Sequence, residues 1–149
     1  MPVDADASTL YWSNAIGSGI DSGSTGCPLL VDGVLIVCAG DMICRVDPVS
    51  GEILTKAKMD RASSFSITPP AYANGMVFVG LSDGTIQAFN AETLQSLWIY
   101  HDPLEGQPNS PITVCGDYLY TGFWRSEESP ANFVCLSITD EDPARTDEE

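Results

Sequence analysis

The residue types able to do chemistry are few and scattered in this sequence. Its one histidine, His101, has no serine or cysteine nucleophile at a recognisable motif spacing, so a surface or capping role is expected of it rather than general-base work. The five cysteines, Cys27, Cys38, Cys44, Cys115 and Cys135, are an odd number at no metal-site spacing, with no C-x-x-C and no adjacent pair. All but Cys27 sit in or beside apolar, strand-like runs, where a free thiol packs as a small hydrophobe. Buried, reduced cysteines are expected, the alternative being a cross-strand pair of Cys38 and Cys44, which flank the turn Ala39-Gly40-Asp41. Asp4-Ala5-Asp6-Ala7-Ser8 imitates the start of a calcium loop, but Thr9 stands at the glycine position and Ala15 at the closing glutamate position. Gly17-Ser18-Gly19 and Gly23-Ser24-Thr25-Gly26 are followed by neither a helix pattern nor a lysine, which argues against a phosphate cradle. No catalytic, metal or cofactor-binding residue is expected from these patterns.

Charge narrows the partners further. Against 6 basic residues stand 21 acidic ones, a net of -15 at neutral pH, and such a surface repels phosphate backbones and anionic lipid. Nucleic acid is therefore not an expected partner. No apolar run reaches the ~20 residues that a spanning helix needs, and Met1 to Asp6 does not resemble a signal peptide, so neither membrane insertion nor an export signal is expected within this chain. Residues 139–149 read as a solvated acidic tail.

The elements that would position any site come from a repeat of about 43 residues. Residues 28–59, 70–101 and 111–138 each open on a proline (Pro28, Pro70, Pro111), run through a short apolar strand, and reach a glycine (Gly33, Gly75, Gly116) five positions later. Asp32-Gly33 and Asn74-Gly75 are strong hairpin signals, because a type I′ turn requires positive φ at both central residues. Second and third strands follow, joined by Gly40-Asp41 or Asp83-Gly84. A turn and fourth strand then close the unit, most clearly in Thr85 to Trp98, TIQAFNAETLQSLW. Asn90 lies 43 residues after Asp47, and Trp98 lies 43 after Thr55, which lies 43 after Trp12. Residues 1–16 thus read as the end of a preceding unit, and the third unit lacks its last strand. No sustained 3.6-residue period occurs, so the chain is expected to be all-β: a sector of about three four-stranded antiparallel blades of a β-propeller. Three blades are too few for an ordinary ring, so the sector belongs to a larger ring or closes against another copy.

Ala88-Phe89-Asn90-Ala91-Glu92-Thr93, ending at Trp98, resembles the Ala-Leu-Asp-Ala-x-Thr-Gly-x-x-x-Trp signature of the pyrroloquinoline quinone (PQQ)-like propeller repeat. The resemblance runs from about Val3 to Ile138. Departures are Leu94 in place of glycine, Arg45 in place of alanine and Thr55 in place of tryptophan, whereas Asp47, Ser50 and Gly51 keep the turn chemistry. The resemblance implies that Trp12 and Trp98, with Ala88, Asn90, Thr93, Asp47 and Gly51, dock blade against blade, and that Thr55 marks a weaker joint. It also implies a bacterial, extracytoplasmic or cell-surface setting. PQQ and Ca²⁺ are not expected, because quinoprotein dehydrogenases resembling this fold use adjacent cysteines and a Glu, Asn and Asp calcium site.

Where the repeat breaks, function is expected. Gly122 to Asn132, GFWRSEESPAN, reads as a long loop in place of a tight turn, on the same side as the connections between blades. Phe123, Trp124 and Arg125 are residue types enriched in interface hot spots, with Glu127 and Glu128 beside them. The alternative for these residues is that the two rings cover the blade edge while Arg125 pairs with Glu127 or Glu128. The expected role is a non-catalytic binding or scaffold module for a protein or carbohydrate. Alternatives are a fragment of a PQQ-dependent dehydrogenase and an outer-membrane assembly scaffold.

Overall fold

A computed structural model describes residues 9–15, 28–61, 69–108 and 110–138, and strands are the sole regular elements among them. Blade 1 is the sheet β1 (Leu29–Val31), β2 (Val34–Ala39), β3 (Met42–Val46) and β4 (Ile53–Lys58), paired antiparallel in chain order. Blade 2 repeats it with β5 (Ala71–Ala73), β6 (Met76–Leu81), β7 (Thr85–Asn90) and β8 (Ser96–His101). The first hairpin of each turns on two residues of positive φ, Asp32 and Gly33 at 49° and 78°, Asn74 and Gly75 at 53° and 77°, as a type I′ turn demands.

The turns before the last strands are built alike, bond for bond. Asp47 Oδ1 accepts from the amides of Val49 and Ser50, and Asn90 Oδ1 from those of Glu92 and Thr93. The amides of Gly51 and Leu94 donate to the carbonyls of Asp47 and Asn90. Ser50 Oγ and Thr93 Oγ1 accept from Glu52 and Gln95. A side-chain oxygen here imitates a backbone carbonyl and holds the turn closed.

Blade 3 departs from the expected unit. Its strands are β9 (Gln107–Pro108), β10 (Thr113–Cys115), β11 (Tyr118–Trp124) and β12 (Asn132–Ser137), with β9 and β10 sharing one edge of β11. The strand β9 had no counterpart in the repeat pattern. Gly122, Phe123 and Trp124 extend β11 and Asn132 opens β12, so the loop expected over residues 122–132 shrinks to 125–131. Residues 1–8 and the tail 139–149 lie outside the described residues, and residues 9–15 carry no strand.

Side chains alternate across each sheet, so the core lies in two seams between blades. In the first, Ile36, Cys38, Ile43 and Met59 of blade 1 meet Val77, Val79, Leu81, Phe89 and Leu94 of blade 2. In the second, Phe78, Ile86, Ala88 and Trp98 meet Ile112, Leu119, Phe123, Leu136 and Ile138. Fully burying one such large side chain is worth about 1.5–3 kcal/mol. The same alternation rules out the Cys38–Cys44 pair: Cys38 stands opposite Ile43 and Cys44 opposite Val37, on opposite faces, and both are free. Burial pushes the Cys38 thiol up to about 12, so it packs as an inert apolar group. Cys115 and Cys135 are free but exposed, contrary to the expected burial, because they lie on the face of blade 3 turned away from blade 2; Cys27 lies outside the described residues. On that same face Phe133 is 73% exposed, whereas Ile86, its counterpart in blade 2, is 0% exposed. Among the described residues, the third sheet thus has the apolar face of a seam with no sheet packed on it.

Two departures from the repeat signature, Thr55 and Leu94, fall at the positions that Trp12 and Gly51 hold one repeat earlier. Trp12 lies over Gly51, where a Cβ would overlap the ring, and its Nε1 donates to the Pro48 carbonyl at 2.8 Å. Asn14 Nδ2 donates to the Gly51 carbonyl at 2.8 Å. One repeat later the tryptophan position holds Thr55 and the glycine position holds Leu94, which keeps the left-handed turn conformation at φ 61° and is 2% exposed within the first seam. On the repeat grid the ring-over-glycine pair is thus replaced by a small residue at the tryptophan position and a large one at the glycine position. Leu94→Gly should cost about 2–4 kcal/mol through the void it leaves, although it relieves the backbone. Thr55→Trp alone should cost about 1–3 kcal/mol by overpacking. In the double variant, urea unfolding should show a total cost below the sum of the two, by about 0.5 kcal/mol or more.

Candidate functional site

One end of the sheets collects the turns β2–β3 and β6–β7, the connection after β8 and the loop β11–β12. Its centre is Asp102, whose side chain is fully buried. In blade 1 the corresponding position is Met59, also buried, and the two share a backbone bond: Met59 N donates to the Asp41 carbonyl, Asp102 N to that of Gly84, each at 2.7 Å. Blade 2 therefore places a carboxylate in a slot that blade 1 fills with a thioether.

A charge in that slot has to be met. Arg125 donates to Asp102 through Nη2 at 2.7 Å and Nε at 3.2 Å, Asn132 Nδ2 donates at 2.9 Å, and the Gly106 amide at 2.8 Å. Gly106 has no room for a Cβ, which would fall 2.9 Å from both Asp102 Oδ2 and Phe123 Cβ. Burial alone would raise the Asp102 pKa, but the bonds from Arg125, Gly106 and Asn132 outweigh it and hold the carboxyl below its ordinary value. The same bond raises that of Arg125.

This knot disposes the five loop candidates differently. Arg125 is committed to Asp102, not to Glu127 or Glu128. Phe123, 1% exposed, packs in the second seam with its ring 6.0 Å from that of Tyr100, so it is a core residue and cannot meet a partner. Trp124 is 48% exposed at the rim of the face turned from blade 2, and Glu127 and Glu128 are exposed in the loop. Sequence reasoning missed Asp102 and Asn132. The available signal was a charged residue at a repeat position that is apolar one unit earlier.

His101 sits nearby in a second polar group. Thr85 Oγ1 and His101 Nδ1 are 2.8 Å apart, and His101 Nε2 is 3.8 Å from Asp60 Oδ2, a carboxylate that Arg61 also meets at 3.0 Å. Hydroxyl, imidazole and carboxylate in a row have the composition of a nucleophile, its base and an orienting acid. Thr85 is 0% exposed, however, and no substrate can reach it. Gln87 extends the group, accepting from the Asp60 amide and donating to Ser96, so it ties the end of blade 1 to blade 2.

With this geometry in hand, comparison with known proteins decides the family. The family model described as "Outer membrane protein assembly factor BamB" matches residues 2–128. The chain belongs to this family of PQQ-like repeat proteins. It is 28% identical over 124 residues to the outer membrane protein assembly factor BamB of Burkholderia pseudomallei strain K96243, covering 77% of this chain and 29% of that protein. Among solved structures it resembles BamB from Moraxella catarrhalis (TM-score 0.61, 21% identity, 75% of this chain and 33% of that one). It also resembles a europium-containing methanol dehydrogenase (TM-score 0.65, 20% identity, 80% and 24%). The chain thus spans about a third or less of these relatives, and the likeness to the solved structures establishes the propeller fold.

The Asp102 knot makes a prediction about acid. A depressed folded pKa contributes stability that is full above the unfolded value of about 3.9 and is lost as the pH falls through the folded value. Asp102→Asn should therefore lower the unfolding free energy at pH 6, with the gap from the parent chain narrowing below about pH 4. Urea titrations across that range measure it, and a gap that stays constant with pH would contradict the assignment.

Proposed function

We propose that this chain is a sector of a longer, non-catalytic propeller that holds a protein partner at the sheet end bearing Trp124, Glu127 and Glu128, in the service of outer membrane protein assembly. The observation that carries this is the Asp102 knot, which fixes both ends of the 125–131 loop through Arg125 and Asn132. A loop anchored in this way presents its side chains at low entropic cost on binding. The two exposed carboxylates supply the charged rim of a binding patch, and the Trp124 indole marks its boundary with the face that the next blade of a longer propeller would cover. The family match supports a setting in the bacterial envelope, outside the cytoplasm.

A dehydrogenase fragment is the competing reading, since a europium-containing methanol dehydrogenase and a quinohemoprotein alcohol dehydrogenase share the fold. The adjacent cysteines that resemblance to quinoprotein dehydrogenases implies are not in this sequence, and this sector, 24% of the methanol dehydrogenase's length, carries no observation that favours the reading.

A photo-crosslinking amino acid at Glu128, placed in the full-length protein within bacterial cells, should capture a component of outer membrane protein assembly. Glu127→Lys with Glu128→Lys should abolish that capture while leaving the melting temperature unchanged. Capture that survives the charge reversal would refute the patch. Separately, PQQ with Ca²⁺ should leave the melting temperature where it is, and a saturable rise would favour the dehydrogenase reading.

A further inference from the structure

At the opposite end of the sheets lies a cleft of about 560 Å³, spanning from the β1–β2 turn of blade 1 across blade 2 to Ile138. Its walls are apolar in part, with Tyr72, Met76 and Leu97, and its only lining cation is Arg45. Arg45 occupies the position of Ala88 in blade 2: Ala88 stands opposite Trp98 and Arg45 opposite Thr55, so the swap puts a guanidinium where the repeat keeps a methyl. Arg45 Nε is buried and meets no hydrogen-bond acceptor. None of the ion pairs among the described residues includes Arg45, although Asp32 and Glu92 line the same cleft. A buried donor on a permanent cation is costly to leave unmet.

We propose that this cleft is a carboxylate-binding site in which Arg45 receives a single-charged acid carried on an apolar body. A planar guanidinium matches a carboxylate through two parallel bonds. A phosphate dianion fits less well, because one guanidinium neutralises only one of its charges and Asp32 and Glu92 stand close by. The apolar body is set by Tyr72, Met76 and Leu97, which line the remaining wall. The chain's overall negative charge does not forbid such a ligand, since charges more than about 10 Å away are screened at 0.1 M salt. The acid is either a free small molecule or the side chain or terminus of a peptide, and the site lies at the end of the sheets away from the Asp102 knot, so it stands or falls independently of that patch.

The test is a titration of the whole chain followed by NMR at the Arg45 Nε–Hε resonance. The probes are phenylacetate, its uncharged amide, inorganic phosphate and an acetylated, amidated pentapeptide with one central glutamate among apolar residues. Phenylacetate or the peptide should move that resonance saturably, with the tighter of the two naming the source, and the amide should not. Followed at the backbone amides of Gly75 and Ala91, which line the cleft and remain in every variant, Arg45→Ala, which carries the residue found at Ala88, should keep the fold and weaken binding at least tenfold. Arg45→Lys, which keeps the charge without the planar fork, should weaken it as well. The proposal is overturned by no response to either acid, by phosphate binding as tightly as phenylacetate, or by binding that persists in Arg45→Ala. It is likewise overturned if Asp32→Asn or Glu92→Gln alone moves the Nε–Hε resonance, which would show that Arg45 is already satisfied within the chain.

Discussion

Everything in the described residues depends on face-to-face packing of sheets whose backbone ladders do not join one another. A blade's ladder satisfies its own backbone, but its two faces must be covered by neighbours, so the seams carry the burial that pays for the fold. Each seam needs bulk on one side and a recess on the other. Trp12 over Gly51 is one solution, and one repeat later Thr55 and Leu94 hold the same two positions with the sizes reversed. The consequence is a scaffold whose joints are chemically distinct despite a common repeat.

That difference among joints is what creates the two sites. When a repeat position changes from apolar to charged, the slot and its burial persist while the chemistry does not. At Asp102 the change is answered within the chain by Arg125, Asn132 and Gly106, and the result is rigidity. At Arg45 no answer comes from the described residues, and the result is a cleft with a waiting donor. One substitution consolidates a loop and the other leaves a buried donor beside a cleft.

Much of the fold was legible because the turn chemistry is local. Asp32-Gly33, Asn74-Gly75, Asp47 to Gly51 and Asn90 to Thr93 each dictate their geometry from within four or five residues, and the 43-residue spacing then orders the strands. What was not legible is long-range. The extension of β11 through Phe123 and Trp124 depends on β9 arriving at one edge and Asn132 of β12 at the other, and Arg125 turns from Glu127 and Glu128 because a buried carboxylate lies across the sheet end. The burial of Phe123 was concealed for the same reason, since an FWR string reads alike in a loop and in a strand. The Cys38–Cys44 pairing failed on a single residue of register, which is enough to send neighbouring side chains to opposite faces.

Every ladder in blades 1 and 2 joins strands that are consecutive in the chain, and among the described residues no strand is exchanged between sheets. Gain or loss of one 43-residue stretch would therefore add or delete a whole blade without rethreading any other. Ring size in such a protein can drift in whole steps across evolution, with selection acting on the seams that the inserted blade must match.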